Sequence, residues 1–124
     1  VAQNRETSIQ NSALLAVGAR PDVLAMRMQS GVFRRMDDPQ QLVRVGVPGL
    51  ADTMMIVAVE ITPAMVGRTV GVAVAAEIKT DTGRQSKAQQ LWQRAFTSRG
   101  GIYAVVRSAG EMLGLVERVR RGDW

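Results

Sequence analysis

Asp52 follows the Pro48-Gly49 turn, and further along the chain a run of apolar residues ends in Glu77-Ile78-Lys79. In an extended strand alternate side chains share a face, so Glu77 and Lys79 project together while Ile78 is expected to face the core. That sets a carboxylate beside an ammonium, and Asp52 joins them if its strand pairs nearby. Such a group holds the parts needed for metal-assisted phosphodiester hydrolysis. Asp52 and Glu77 would hold a divalent ion such as Mg²⁺, a hard cation that takes oxygen ligands and keeps several waters. The ion would polarise the phosphate and lower the pKa of a bound water. Lys79 would stabilise charge developing on the phosphorane oxygens, or help position that water.

Each residue also has a plainer explanation. Glu77 and Lys79 could pair with one another on an exposed face, since Glu-x-Lys is a common triplet. Against this stands the preceding run Val70 to Ala76, apolar throughout, which leaves the charges at the mouth of a strand. Ser86 and Gln89 match the S-x-x-Q capping box, in which Gln89 reaches back to the backbone N–H of Ser86. Gln89 is equally placed to act in the site, and the two roles can be shared. The helix it opens follows Lys79 by a short turn, so its N-terminus could face a phosphate. Glu6, at the start of the first helix, complements the helix dipole. Glu60 is the rival carboxylate, but Pro63 puts it at a hairpin end far from Glu77. Arg27, Arg34, Arg35, Arg44 and Arg84 are candidate phosphate contacts, each of them also explicable as a solvated charge. Trp92 lies on an apolar helix face and reads as core.

The elements that must position these groups fit one domain, 1–124, since 124 residues suffice for a single hydrophobic core. Thr7 to Val17 reads as an amphipathic helix stopped by Gly18, with Ile9, Leu14, Leu15 and Val17 as its apolar face. Val23 to Arg34 reads as a strand pair or one strand bent at Ser30-Gly31, followed by a polar loop from Met36 to Gln41. Leu42 to Val47 is a short strand. Thr53 to Ile61 and Thr69 to Lys79 read as two strands of a hairpin joined through Thr62 to Gly67. Their nearly continuous apolar runs imply a sheet covered on both faces. Gln85 or Ser86 to Thr97 is the clearest helix, with Ala88, Leu91, Trp92, Ala95 and Phe96 at helical spacing and Gly100-Gly101 as its stop. Ile102 to Arg107 is a buried strand and Ala109 to Arg118 a closing helix. Val1 to Asn4 and Arg120 to Trp124 read as frayed ends.

Composition narrows the chemistry. The chain has neither Cys nor His, which excludes disulfides, zinc sites built on those ligands and histidine-based catalysis. No apolar run reaches the length of a membrane span, and the polar start lacks the apolar core of a signal peptide. A cytoplasmic location is the expectation, with no membrane partner and no organic cofactor. The net charge is +5, and of the 16 basic residues only Lys79 and Lys87 are lysines, which leaves 14 arginines. The rigid donor fork of arginine suits phosphate oxygens, so a polyanion is the expected partner.

In order along the chain, Arg44-Val45-Gly46, Gly49-Leu50-Ala51-Asp52, Glu77-Ile78-Lys79-Thr80, Gly83-Arg84, Ser86, Gln89, Trp92 and Gly100-Gly101-Ile102-Tyr103-Ala104-Val105-Val106 resemble the virus-type replication-repair nuclease (VRR-NUC) domain of the PD-(D/E)XK nuclease superfamily. The resemblance covers about Arg27 to Glu117. It implies an α/β fold with a central mixed β-sheet flanked by helices, the restriction-endonuclease-like core, and Mg²⁺- or Mn²⁺-dependent cleavage of DNA. By it Asp52 and Glu77 become metal ligands, with the backbone carbonyl of Ile78 and an acidic residue of the first helix, Glu6, completing the set. Lys79 becomes the catalytic lysine and Gln89 a site residue on the following helix. The DNA-binding set is Arg27, Arg44, Arg84, Ser86 and Lys87. The segment Met26 to Gly31 resembles the family's Arg-Asn-x-x-Gly strand, with Met28 where Asn is usual. Stand-alone members of this size resemble phage and bacterial proteins that act as homodimers on branched DNA, including four-way junctions, which implies the cytoplasm of a bacterial or phage-infected cell; the apolar stretch Met54 to Ala76 is the expected dimer surface. The alternatives are a flap-cleaving or nonspecific nuclease, or a DNA-binding module that keeps the fold without turnover.

Overall fold

The computed structural model describes the backbone of residues 2–124 and the side chains from Arg5 onward. It is a mixed α/β structure running α1 (Ala2–Gly18), β1 (Val23–Arg27), β2 (Gly31–Arg34), β3 (Leu42–Val45), β4 (Thr53–Val57), a 3₁₀ turn at Pro63–Met65, β5 (Val74–Ile78), α2 (Lys87–Thr97), β6 (Ile102–Val106) and α3 (Ala109–Arg120). Where one central sheet was expected, the strands pair two by two, as β1–β4, β2–β3 and β5–β6. The chain gathers into two compact units, one ending at Met55 and the other running Ile56–Trp124.

In the first unit α1 begins earlier than its apolar periodicity suggests, because the polar residues ahead of Thr7 are mostly acceptable helix formers. Leu14 and Val17 are partly covered, while Ile9 and Leu15 of the expected apolar face are exposed. The bend at Ser30-Gly31 is present, and it separates β1 from β2 so that each takes a different partner. β2 and β3 run antiparallel, with Val32 opposite Arg44 and Phe33 opposite Val43. The polar loop between them is tied by Arg35, whose guanidinium pairs with Asp37, and by Arg34, which donates to the Pro39 carbonyl at 3.0 Å. The Arg35 guanidinium holds the Asp37 carboxyl below the usual carboxylate range. Arg20 does the same to Asp22 in the turn after α1.

The second unit departs from the expected hairpin. β4 ends at Val57, and the chain then passes through the 3₁₀ turn and a stretch without regular structure before β5 starts at Val74. Pro63 begins the turn and Gly67 follows it at φ +88°, a conformation that favours glycine. β5 then pairs in parallel with β6, matching Val74 to Ile102, Glu77 to Val105 and Ile78 to Val106. Parallel neighbours cannot be joined by a tight turn, so the connection carries α2 across one face. The β5–β6 pair has a helix on each face, as expected, but the apolar runs are not buried along their length: Val57, Val59, Ile61, Val70 and Ile78 are all exposed.

The core of this unit lies between the β5–β6 pair and α3, where Ile102, Val106 and Leu115 are buried against Ala76, Ala104, Met112 and Val119. Burying each large aliphatic side chain is worth about 1.5–3 kcal/mol. On the other face α2 lays its buried Phe96 beside Gly101. Gly100 takes φ +87° to end the helix, and Gly101 then passes so close that an added Cβ would sit 2.4 Å from the Phe96 ring. The last residues are not frayed. Gly122 donates to the Val119 carbonyl and Asp123 to the Arg118 carbonyl at 2.9 Å, the two bonds of a Schellman cap closing α3. Among the described residues no helix is long and apolar enough to cross a membrane.

Gly101→Ala is expected to lower unfolding free energy by about 1–3 kcal/mol, since the new methyl group overlaps a buried ring. Gly114→Ala, in α3 with open space around its Cα, is expected to raise it by about 0.5–1 kcal/mol. Urea denaturation of the two variants checks both signs.

Candidate functional site

The sequence-derived site residues fall into two groups, one in each unit. In the first unit Glu6 and Asp52 line a single groove of about 340 Å³ together with Ile9, Gln10 and Thr53. The Asp52 backbone is pinned at the start of β4: its carbonyl accepts from Met28 N at 2.9 Å and from Gln10 Nε2 at 3.4 Å. Both carboxylates are exposed to solvent. The dipole explanation for Glu6 requires correction. α1 starts at Ala2 and its first turn holds no acidic residue, so Glu6 lies beyond the reach of that effect. Facing the groove beside Asp52 is what its position provides.

In the second unit the crossover decides which way the charges point. α2 covers the face of the β5–β6 pair that carries Glu77, Lys79 and Tyr103, whereas α3 packs on the face of Ala76, Ile102 and Val106. Ile78 therefore points away from the site and is 71% exposed, the reverse of its expected burial. Its two neighbours take the covered side: the side chains of Lys79 and Glu77 are only 21% and 26% exposed. Lys79 Nζ stands 3.6 Å from Glu77 Oε1. The ion pair is real, but it sits under a helix and not on a solvated face.

Gln89 holds both of its expected roles at once. Ser86 Oγ accepts from Gln89 N at 3.1 Å, and Gln89 Oε1 accepts from Ser86 N at 2.9 Å, which closes the capping box. The same amide then donates through Nε2 to Glu77 Oε1 at 2.7 Å. One side chain thus ties the start of α2 to the carboxylate at the end of β5. Tyr103 Oη approaches the other oxygen of that carboxylate, Oε2, at 3.5 Å. The Tyr103 ring is tilted against Trp92, whose ring stacks on Phe96 at 4.8 Å between centroids. Trp92 is thereby a partly exposed wall beside Glu77 and not the core residue its periodicity suggests.

Two further residues hold Lys79 in place. Arg107 donates from its guanidinium to the carbonyls of Thr80 and of Gly83, the latter at 3.1 Å, and so clamps the turn that follows Lys79. Gly83 lies against the lysine stem, where an added Cβ would come 3.3 Å from Lys79 Cβ. Arg107 carries no local motif, and Tyr103 enters the sequence reading only as one residue of the Gly100 to Val106 run. In the parallel register, however, Glu77 lies opposite Val105, which brings Tyr103 and Arg107 onto the face of Glu77 and Lys79.

The expected DNA contacts divide in the same way. Arg27 is engaged, donating to Asn11 Oδ1 at 2.7 Å, and Ser86 is committed to its cap. Arg44, Arg84 and Lys87 have no side-chain bond or ion pair among the described residues and remain available to an anion. Among the described residues no three acidic side chains gather in one cluster. Glu77 nonetheless suits a hard cation as a single oxygen donor, since Mg²⁺ is commonly held by one or two carboxylates plus water. Comparison with family models, with curated proteins and with solved structures finds no match to this chain.

Gln89→Ala removes the cap and the bond to Glu77 together and is expected to destabilise the chain by about 1–2 kcal/mol. Gln89→Glu keeps an acceptor for Ser86 N but sets two carboxylates against each other. Thermal melts should therefore show a loss in this variant too, and raising salt should recover part of it only here.

Proposed function

We propose that this chain is a metal-dependent endonuclease of the PD-(D/E)XK type, cleaving branched DNA as a homodimer, with a four-way junction as its preferred substrate. The observation that carries the reading is the joining of Glu77, Lys79 and Gln89 at the C-terminal end of a parallel strand, beside the capped N-terminus of α2. Open parallel sheets place their binding crevices at that end of the strands, and helix N-termini favour phosphate.

In this reading Glu77 is the metal ligand of the second unit, its carboxylate oriented by the Gln89 amide. The carbonyl of Ile78 is a further oxygen donor beside it, and Glu6 and Asp52 are the paired carboxylates of the first unit. A bound Mg²⁺ or Mn²⁺ would supply Lewis acidity toward the phosphate and a more acidic water. Lys79, its turn clamped by Arg107, presents an ammonium to charge developing on the phosphate oxygens. Arg84, Lys87 and Arg44 supply cations for the DNA backbone, and the overall charge of +5 favours approach to it. Resolution of a junction needs two paired cuts, which a two-fold dimer provides by symmetry.

The test is cleavage of a labelled four-way junction beside linear duplex and flap DNA, with Mg²⁺, Mn²⁺ or EDTA. Symmetric cuts that require metal are expected, with turnover falling about 10²-fold or more in Lys79→Ala while junction binding is retained. Glu77→Ala should weaken Mn²⁺ binding in calorimetry as well as cutting. Cuts confined to flaps or linear duplex would keep the nuclease and remove the resolvase. Binding without cutting under every metal would leave a DNA-binding module.

A further inference from the structure

The face of the second unit away from Glu77 carries a separate feature. A cleft of about 660 Å³ opens where the stretch before β5 runs along the C-terminal half of α3. Val70 and Val116 line it with Arg68, Arg120 and Arg121, and Trp124 forms one side. The Trp124 indole is 64% exposed, and both valines are exposed as well. Its position is set by the Schellman cap of α3, which turns the chain at Gly122 so that the ring lies over that glycine, 3.8 Å from where a Cβ would be.

The charges around the cleft are not balanced. Glu117 pairs with Arg120 at 3.1 Å, and Asp123 approaches Arg121 at 4.0 Å. Arg68 in the cleft, and Arg118 in the groove beyond Arg121, have no carboxylate partner among the described residues. Arg121 is shared with a neighbouring groove of about 510 Å³ that also holds Arg118, Arg107 and Glu111, whose carboxylate accepts from the Arg107 backbone N–H. Arg121 thus joins the two grooves, and Arg118 beside it adds a second guanidinium.

We propose that this cleft binds single-stranded nucleic acid, with an unpaired base stacked on Trp124 and the phosphate backbone following Arg121 and Arg118. An exposed indole offers a face to any base, and guanidiniums at its rim satisfy the phosphates, the pairing of stacking platform and cationic groove that single strands require. A duplex keeps its bases stacked inside and can use only the charges. The binding stands whether or not the chain cuts DNA.

The experiment is titration of the whole chain with labelled oligo(dT) in EDTA, so that cleavage plays no part. Binding is read by anisotropy and by quenching of tryptophan emission. The expected result is quenching by oligo(dT) that is lost in Trp124→Phe, and affinity reduced about five-fold or more in Trp124→Ala. Arg68→Ala should weaken binding and lower its salt dependence by about one counterion's worth. Trp124 and Arg68 are exposed surface residues, and circular dichroism confirms that the variants fold. An abasic oligonucleotide or a duplex that binds as tightly as oligo(dT) overturns the proposal, because stacking then contributes nothing. Unchanged affinity in Trp124→Ala overturns it too, as does a chain that ignores oligo(dT) and binds anionic vesicles instead.

Discussion

Parallel pairing of β5 with β6 is the constraint from which the second unit follows. The connection between two parallel strands must leave the sheet, and here it carries α2 over one face while α3 takes the other. Once that division is made, strand alternation does the rest. Glu77, Lys79, Tyr103 and Arg107 share the α2 side, and the aliphatic residues Ile102 and Val106 share the α3 side with Leu115. The sheet is thus chemically two-faced: one side supplies burial, the other a group of polar side chains held around a carboxylate. Gly101 makes the turn back into β6 tight enough to work, because only a residue without a side chain fits beside Phe96.

Gln89 links this architecture to chemistry. A helix leaves its first backbone N–H groups without intrahelical partners, and the capping box of Ser86 and Gln89 answers that need locally. The amide nitrogen of Gln89 is left over by the cap, and it is spent on Glu77. The carboxylate is therefore oriented by the same residue that fixes where α2 begins. Any movement of the helix start moves the donor, so site geometry and helix position are coupled through one side chain. Arg107 plays the corresponding part for Lys79 by holding the Thr80–Gly83 turn from the neighbouring strand.

How much of this was legible depended on the range of the interaction. The α2 helix, its Ser86 cap and the Gly100-Gly101 stop could be read directly, because each rests on residues within one turn of one another. β6 and α3 followed from an apolar strand and a helical period. The hairpin expected from Thr53 to Lys79 did not form, since an apolar run fixes neither its partner nor its direction, and β5 found β6 instead. The same ignorance of partners inverted Ile78: alternation tells which residues share a face but not which face the crossover helix will cover. Tyr103 and Arg107 were missed as neighbours of the site because their approach depends on register between strands separated by a whole helix. Trp92 shows the opposite failure, a helical apolar position whose ring ends at the edge of the site because the helix is only one layer deep over the sheet.

Stability alone is a poor explanation for the Glu77–Lys79 pair. Ion pairs near a surface are worth about 0–1 kcal/mol, and covering both groups under α2 costs hydration that the pairing only partly returns. Well-packed apolar residues at such half-buried strand positions are often neutral or more stabilising than an ion pair. The carboxylate is instead surrounded by an ammonium, an amide donor and a phenol, an arrangement that tightens its orientation and leaves its second oxygen lightly engaged at 3.5 Å. A group restrained in this way meets an incoming cation or phosphate with little reorganisation, the condition under which a fixed charge contributes to a reaction. In the proposed function the polar cluster serves as preorganisation for an ionic ligand, and the energetic cost is borne by the aliphatic core on the other face.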